Sequence, residues 1–232
     1  MSAGATANAA VGVSLDEQLA GAAEALGLML TDEQHRQLIE YCALLLRWNR
    51  TYNLIADLAP GALMQRHIVD CLAVIAPFRR ALGELAGRAR ILDVGSGAGL
   101  PGIVLAVMDP GMDVVCVDSV GKKAAFIQHA VSVLRLGNLE ARHARVESLD
   151  LPPFDLITCR AFAALTDLVQ ATAPLLGAEG VWGALKGRRP DSEILALAGE
   201  AEVFHVEPIK LPGSQSERCI VWMKRTAAQD SI

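Results

Sequence analysis

Ile91-Leu-Asp-Val-Gly95-Ser-Gly97-Ala-Gly99-Leu-Pro-Gly102 is the stretch that decides the fold. A short apolar run meets a cluster of glycines, and the apolar residues Ile103 to Met108 follow directly. A strand, a glycine turn and a helix in immediate succession begin a βαβ unit. The pattern continues downstream, with a strand at Val114–Asp118, a helix over about 121–136, strands near 139–143 and 154–159, a helix near 164–176 and a strand at Val181–Leu185. Strands alternating with helices specify a parallel sheet with helices on both faces. Glu202–Glu207 and Arg218–Met223 read as two further strands around the turn-rich Pro212-Gly-Ser, which adds an antiparallel strand near the C-terminus. The expected class is α/β, a doubly wound, mostly parallel Rossmann-like sheet.

Upstream of the glycine stretch the pattern is helical. Ser14-Leu-Asp-Glu17 and Thr31-Asp-Glu-Gln34 are capping boxes, each followed by apolar positions at helical spacing. Further helical segments are expected over 61–86. The expected organisation is a disordered tail at 1–13, a helical extension at 14–86 and the α/β domain at 87–226.

With 52% hydrophobic and 20% charged residues in 232, the chain is not a disordered one. Its longest internal charge-free stretch, Val94 to Met108, is broken by glycines and a proline, so no membrane span is expected. Met1 to Leu15 lacks the basic start of a secretory signal. The five cysteines, at 42, 71, 116, 159 and 219, contain no CxxC and no zinc spacing. Neither a disulfide framework nor a metal is expected, and a reducing, cytoplasmic compartment fits. Nothing demands a dimer, so a monomer is expected.

The net charge of −5 argues against nucleic acid on average, but its distribution does not. Residues 1–40 carry six acids and one base, so the remaining 192 residues balance at 20 bases and 20 acids. Lys122, Lys123, Arg135, Arg142 and Arg145 face only Glu140 within 120–145, and Lys186, Arg188 and Arg189 cluster further on. A local basic face is compatible with an RNA partner, as is an ordinary mixed surface.

Two ligands compete for the glycine loop. Gly97-x-Gly99-x-x-Gly102 matches the dinucleotide fingerprint. Gly95-x-Gly97-x-Gly99 matches the loop of S-adenosylmethionine (SAM) methyltransferases. Asp93, at the strand end, would repel a pyrophosphate and attract the ammonium and sulfonium of SAM. The dinucleotide fingerprint would also start five residues past the strand, too late for its tight turn. SAM is favoured. Asp118 ends the next strand, 19 residues after Gly99, where an acid accepts from ribose hydroxyls in either cofactor. Val146 and Glu147 follow the third strand, within reach of an adenine. At the fourth strand end, Thr158-Cys159-Arg160-Ala-Phe162 lacks the Asp/Asn-Pro-Pro-aromatic segment of amino-group methyltransferases. Cys159 lacks the proline that follows the cysteine nucleophile of carbon-5 cytosine enzymes. Arg160, at the mouth of the cofactor cleft, can hold a phosphate or a base oxygen.

Several segments together carry a resemblance. They are Trp48-Asn-Arg-Thr-Tyr-Asn-Leu54, Arg66-His-Ile-Val-Asp70, Asp93 to Gly102, Asp118-Ser-Val-Gly-Lys-Lys123, Arg145-Val-Glu147, Cys159-Arg-Ala-Phe162 and Ala184-Leu-Lys-Gly187. Over about residues 14–224 the chain resembles the ribosomal RNA small-subunit methyltransferase G family, once called glucose-inhibited division protein B. The resemblance implies SAM-dependent methylation of a guanine N7 in 16S ribosomal RNA, free or in the small subunit. It implies that Gly95, Leu100, Val146, Glu147 and Arg160 line the cofactor site with Asp118 on the ribose. Asp93, Ser96, Gly97, Gly99 and Ser119 complete the expected cofactor set. Arg66, His67, Lys122, Lys123, Arg145, Lys186 and Arg218 are the expected RNA contacts. Family members commonly carry serine where this chain has Ala144 and Cys159.

The chemistry agrees. Guanine N7 has a lone pair and no proton, so its methylation needs no general base. Catalysis then rests on proximity and in-line alignment, and Arg160 is the expected catalytic residue, donating to guanine O6. The deep major groove of A-form RNA excludes side chains, so the target is expected in a loop or splayed out. The competing functions are a SAM-dependent small-molecule methyltransferase and a non-catalytic nucleotide-binding adaptor.

Overall fold

The computed structural model describes residues 13–56, 60–160, 162, 164–197 and 199–226. The tail expected over 1–13 therefore lies outside the described residues except for Val13, as does Ala161 of the Cys-Arg-Ala-Phe segment. The decisive stretch folds as strand β1 (Arg90–Val94), the glycine loop, and helix α6 (Gly102–Met108). Around it lie β2 (Asp113–Asp118), β3 (Leu139–His143), β4 (Phe154–Arg160), β5 (Leu176–Lys186), β6 (Glu202–Pro208) and β7 (Cys219–Lys224). The sheet order is β3-β2-β1-β4-β5-β7-β6. Strands β1 to β5 pair in parallel and β7 runs antiparallel to both of its neighbours. The chain reverses its direction of sheet growth between β1 and β4. In open α/β sheets this switch point opens the ligand crevice, and the glycine loop stands at its mouth.

Alternation assigns the core. Ile91, Val114 and Cys116 face one layer, while Leu92, Val94, Val115 and Val117 face the other. The first layer holds α6, α7 (Gly121–Leu134) and the N-terminal helices α1 (Leu15–Ala25), α2 (Asp32–Tyr52) and α5 (Ile75–Leu82). The second holds α8 (Leu165–Thr172) and α9 (Asp191–Ala196), a short helix that the sequence pattern does not reveal. The helical extension thus shares one core with the sheet.

Both capping boxes form, with Ser14 paired to Glu17 and Thr31 to Gln34. Helix α2 braces the glycine loop. The Tyr41 hydroxyl, fully buried, donates to the Ala98 carbonyl at 2.7 Å. Gln37 Nε2 donates to the Leu134 carbonyl at 2.9 Å, fastening α2 to the end of α7. Removing the phenol in Tyr41→Phe leaves a buried carbonyl short of its donor, an expected loss of about 1–3 kcal/mol. Urea unfolding reads this directly, and an unchanged midpoint would show that α2 does not brace the loop through this bond.

The helical segments expected over 61–86 are present and short. They comprise α3 (Pro60–Leu63), a π-helical turn (Met64–Val69), α4 (Asp70–Leu72), a turn, and α5. Pro77 is tolerated because it sits in the first turn of α5, where its missing N–H breaks no helical bond. Wide π turns cluster at functional sites. Here the turn carries Arg66 and His67 and leads into Asp70.

Candidate active site

The glycine loop is closed behind and open in front. Gly95, Gly97 and Gly99 have φ of +65°, +60° and +82°, the left-handed region that strains other residues. A Cβ on Gly99 would stand 2.6 Å from Ile103 Cδ1, and one on Gly102 would stand 2.2 Å from Cys116 Sγ. A Cβ on Gly97 would meet nothing nearer than the Gly95 carbonyl at 3.9 Å. The two rear glycines let the loop press onto α6 and β2, while Gly97 leaves backbone exposed to a ligand.

Asp93 lies behind this loop. Strand alternation turns it to the side of Ile91, toward α6, so it is fully buried and lines neither cleft described below. Its Oδ2 accepts from the Gly102 N–H at 2.9 Å, while Oδ1 is buried without a hydrogen-bond partner. Burial pushes its carboxyl up to about 6, although the Gly102 N–H, the Ser96 side chain, the Arg160 charge and Cys116 favour the ionised form. Gly99 likewise packs behind the loop, for the steric reason given above.

A small cleft of about 140 Å³ opens on one side of the loop. Gly95, Asp118, Ser119, Arg145, Val146, Glu147 and Phe162 line it. Asp118 is held by two backbone donors, Gly97 N–H at 2.9 Å to Oδ2 and Val120 N–H at 2.8 Å to Oδ1. Each oxygen keeps acceptor capacity, because an ionised carboxylate offers about four lone-pair sites. Val146 and Glu147 sit on a single 3₁₀ turn after β3 (Val146–Ser148).

A larger cleft of about 660 Å³ opens on the other side, and Gly95 lines both. Gly95, Ser96, Gly97 and Leu100 form its floor, and Arg66, His67, Lys123, Arg160, Lys186 and Arg218 its basic wall. Leu54-Ile-Ala56 completes the rim. Asn49 fixes that segment, accepting from Ile55 N–H at 2.8 Å and donating to the Ile55 carbonyl at 3.0 Å. Lys122 lines neither cleft; it is exposed on the first turn of α7.

The basic wall is ordered by local partners. Arg160 donates to the Arg66 carbonyl at 3.3 Å and to His67 Nδ1 at 3.3–3.4 Å. His67 Nε2 lies 3.3 Å from the Ala56 carbonyl. Facing these partners, Nδ1 is placed to accept from the guanidinium and Nε2 to donate to the carbonyl, roles that depend on the ring tautomer. Lys186 donates to Glu193 Oε2 at 2.8 Å, and Arg218 Nε to Asp70 Oδ2 at 3.0 Å. Sequence reasoning missed Glu193, because α9 is too short to show periodicity. It also missed Phe162 as the cover over Gly95; a Cβ there would stand 3.0 Å from the Phe162 ring.

Cys159 is not equipped as a nucleophile. It is buried, and burial pushes its thiol up to about 12. Among the described residues no cluster of His, Cys, Asp and Glu is arranged to hold a metal. No helix among them is long and apolar enough to cross a membrane.

Known proteins match this chain and its fold. Residues 34–221 match the family model described as rRNA small subunit methyltransferase G. The ribosomal RNA small subunit methyltransferase G of Paracidovorax citrulli is 50% identical over 220 residues, covering 91% of this chain and 90% of that protein. Its counterpart in Leptothrix cholodnii is 50% identical over 216 residues, covering 93% and 98%. Among solved structures, a SAM-dependent methyltransferase from Aquifex aeolicus superposes with a TM-score of 0.51 at 18% identity, covering 71% of this chain and 93% of that one. A 16S rRNA N2 G1207 methyltransferase from T. thermophilus, in complex with AdoMet and guanosine, gives 0.53 at 20% identity, covering 68% and 43%. These structural likenesses establish the SAM-methyltransferase fold. With the sequence match over most of its length, the chain belongs to the rRNA small subunit methyltransferase G family.

Proposed function

We propose that the protein methylates N7 of a guanine in 16S ribosomal RNA, using SAM. The observation that carries this reading is the glycine cradle set between two unlike clefts, a small one with acids and a large one walled by cations. The residues present fit SAM. The open face over Gly97 admits a ligand against backbone, Asp118 and Glu147 can accept from a nucleoside, and the buried Asp93 carboxyl behind the loop would add a negative charge favourable to a cation. When bound, SAM supplies an electrophilic methyl group on a sulfonium.

The chain's own residues do the rest by positioning. Arg160 points its guanidinium into the large cleft, braced by the Arg66 carbonyl and His67. From there it donates to guanine O6 and leaves the adjacent N7 lone pair free. No side chain need remove a proton, since N7 carries none. The absence of a poised thiolate at Cys159 is consistent with this chemistry. Lys123, Arg66 and Lys186 can meet phosphates around the base, and Arg145 does so from the small cleft.

The substrate is the small-subunit RNA, free or partly assembled, and the protein acts as a monomer in the cytoplasm. The five cysteines are unbonded and buried, which agrees with a reducing compartment. Salt titration of binding tests the macromolecular substrate. With about four phosphates neutralised, log K against log salt is expected to slope at roughly −3. A flat response would point to a small-molecule acceptor.

The pH dependence of cofactor binding follows from Asp93. Its folded carboxyl is raised to about 6 from an ordinary 3.8. The folded protein therefore takes up the proton earlier as pH falls, and the attractive charge fades between about 7 and 5. SAM affinity is expected to weaken on acidification through pH 6 and to be flat over that range in Asp93→Asn. The same shift makes folding stability fall as pH rises from about 4 to 6, since the unfolded chain ionises first. Calorimetric titration of SAM at pH 5, 6 and 7 reads the first effect, and an equal affinity at all three would remove Asp93 from cofactor binding.

A further inference from the structure

Among the described residues, the lining of the large cleft holds one acid and many bases. Of the described residues that line it, Asp70 alone carries a carboxylate. It sits at the start of α4, where the π turn ends. Its Oδ2 accepts from Arg218 Nε at 3.0 Å, a partner 148 residues away in sequence. Its Oδ1 is buried with no hydrogen-bond partner at all. The side chain is 10% exposed. A carboxylate oxygen left in this state is costly in the free protein, and the cost is recovered when a donor arrives.

The reaction brings a base whose edges differ. The Hoogsteen edge of guanine offers acceptors, N7 and O6, which suit a methyl group and a guanidinium. Its opposite edge offers two donors, N1–H and the N2 amino group. A wall of Lys and Arg supplies further donors and nothing to accept them. Among the described lining residues, Asp70 is the side chain whose charge and fork match two parallel N–H groups.

We propose that Asp70 is the guanine-reading residue, its carboxylate accepting from the N1–H and N2 amino edge of the target base. The proposal rests on the guanine N7 reading of the site given above. Arg218 fixes one carboxylate oxygen, which keeps a second lone pair for N1–H. Oδ1 takes the amino group after a small turn about χ2, a soft torsion for aspartate. Adenine places an acceptor at N1 and no N2 amino group, so it meets the carboxylate with repulsion and leaves Oδ1 unpaired. Methylation at N7 also makes the purine cationic. A carboxylate on its far edge stabilises that charge as it develops, so the same contact favours the transition state over the ground state.

Burial raises the Asp70 carboxyl from its ordinary value, while the charges of Arg218 and Arg160 oppose the rise. This agrees with a carboxylate held partly desolvated, ready for a strong contact.

The test uses RNA in which the methylated guanosine, once mapped with the wild-type enzyme, is replaced by inosine through ligation. Inosine keeps N7, O6 and N1–H and loses only the amino group. Wild-type kcat/KM is expected to fall about tenfold or more on inosine, the range for losing one hydrogen bond to a charged group. In Asp70→Asn, Arg218 claims the amide oxygen and turns the NH₂ toward the base, so guanosine and inosine are expected to react within about threefold of each other. Arg218→Ala removes the anchor but keeps the acid, and is expected to slow both RNAs while retaining preference for guanosine. SAM affinity near the wild-type value shows that each variant is folded; if Asp70→Asn is not, Asp70→Ser replaces it. Equal wild-type rates on the two RNAs, or a preference undiminished in the Asp70 variant, would overturn the assignment and leave the N7 chemistry standing. Failure of the wild-type enzyme to form 7-methylguanosine would instead overturn the functional reading on which the assignment rests.

Discussion

Arg160→Ala is expected to lower kcat for 16S RNA methylation by about 10²–10³-fold, the range seen when one preorganised donor is removed from an active site. The side chain projects from the last residue of β4, at the open end of the sheet. Two groups hold it there, the Arg66 carbonyl and the His67 ring. Neither contact is to a carboxylate, so neither neutralises the guanidinium's positive charge. A carboxylate in their place would have spent that charge in an ion pair. Arg160→Lys retains the charge but loses the planar fork, and is expected to recover only part of the rate. Single-turnover kinetics separates this step from RNA binding. If the alanine variant transferred methyl at the wild-type rate, Arg160 would have no role in orienting the base.

The second large effect is structural. Gly102→Ala would put a methyl group 2.2 Å from Cys116 Sγ and 3.0 Å from Asp93 Oδ2, in a site with no free volume. Overpacking of this kind costs about 1–3 kcal/mol. The loop must also shift, so SAM affinity is expected to fall with stability. Removing the sulfur in the double variant Gly102→Ala with Cys116→Ala clears the shortest contact. It is expected to recover most of the stability, a coupling that identifies the clash as the cause. A double variant no more stable than Gly102→Ala alone would show that the cost lies in the backbone. Chemical denaturation of the four proteins in this cycle gives the answer.

Much of this architecture is legible in the sequence because its determinants are local. The capping boxes at Ser14 and Thr31 form where the residue spacing places them. The glycine loop announces a strand, a turn and a helix within twelve residues. Gly95, Ser96, Gly97, Leu100, Asp118, Ser119, Val146, Glu147 and Arg160 all line one of the two clefts, although they come from four separate segments. Alternation puts Asp93 on the side of Ile91, behind the loop, whereas its place at the strand end beside the glycines reads as direct cofactor contact. The π turn over Met64–Val69 was not legible. Its apolar spacing reads as ordinary helix. Glu193 and Asp70 were hidden for another reason. Each acquires its meaning from a partner brought by tertiary folding, Lys186 in one case and Arg218 in the other.

The central claim is that this site places a guanine N7 in line for methyl transfer. Its most direct test is transfer from radiolabelled SAM to 16S RNA and to small subunits lacking the modification, followed by digestion to nucleosides. Label is expected in 7-methylguanosine and to disappear with Arg160→Ala. Label in 5-methylcytidine would contradict the account and return the chemistry to Cys159, whereas an absence of label in any RNA, with SAM binding intact, would remove RNA as the substrate.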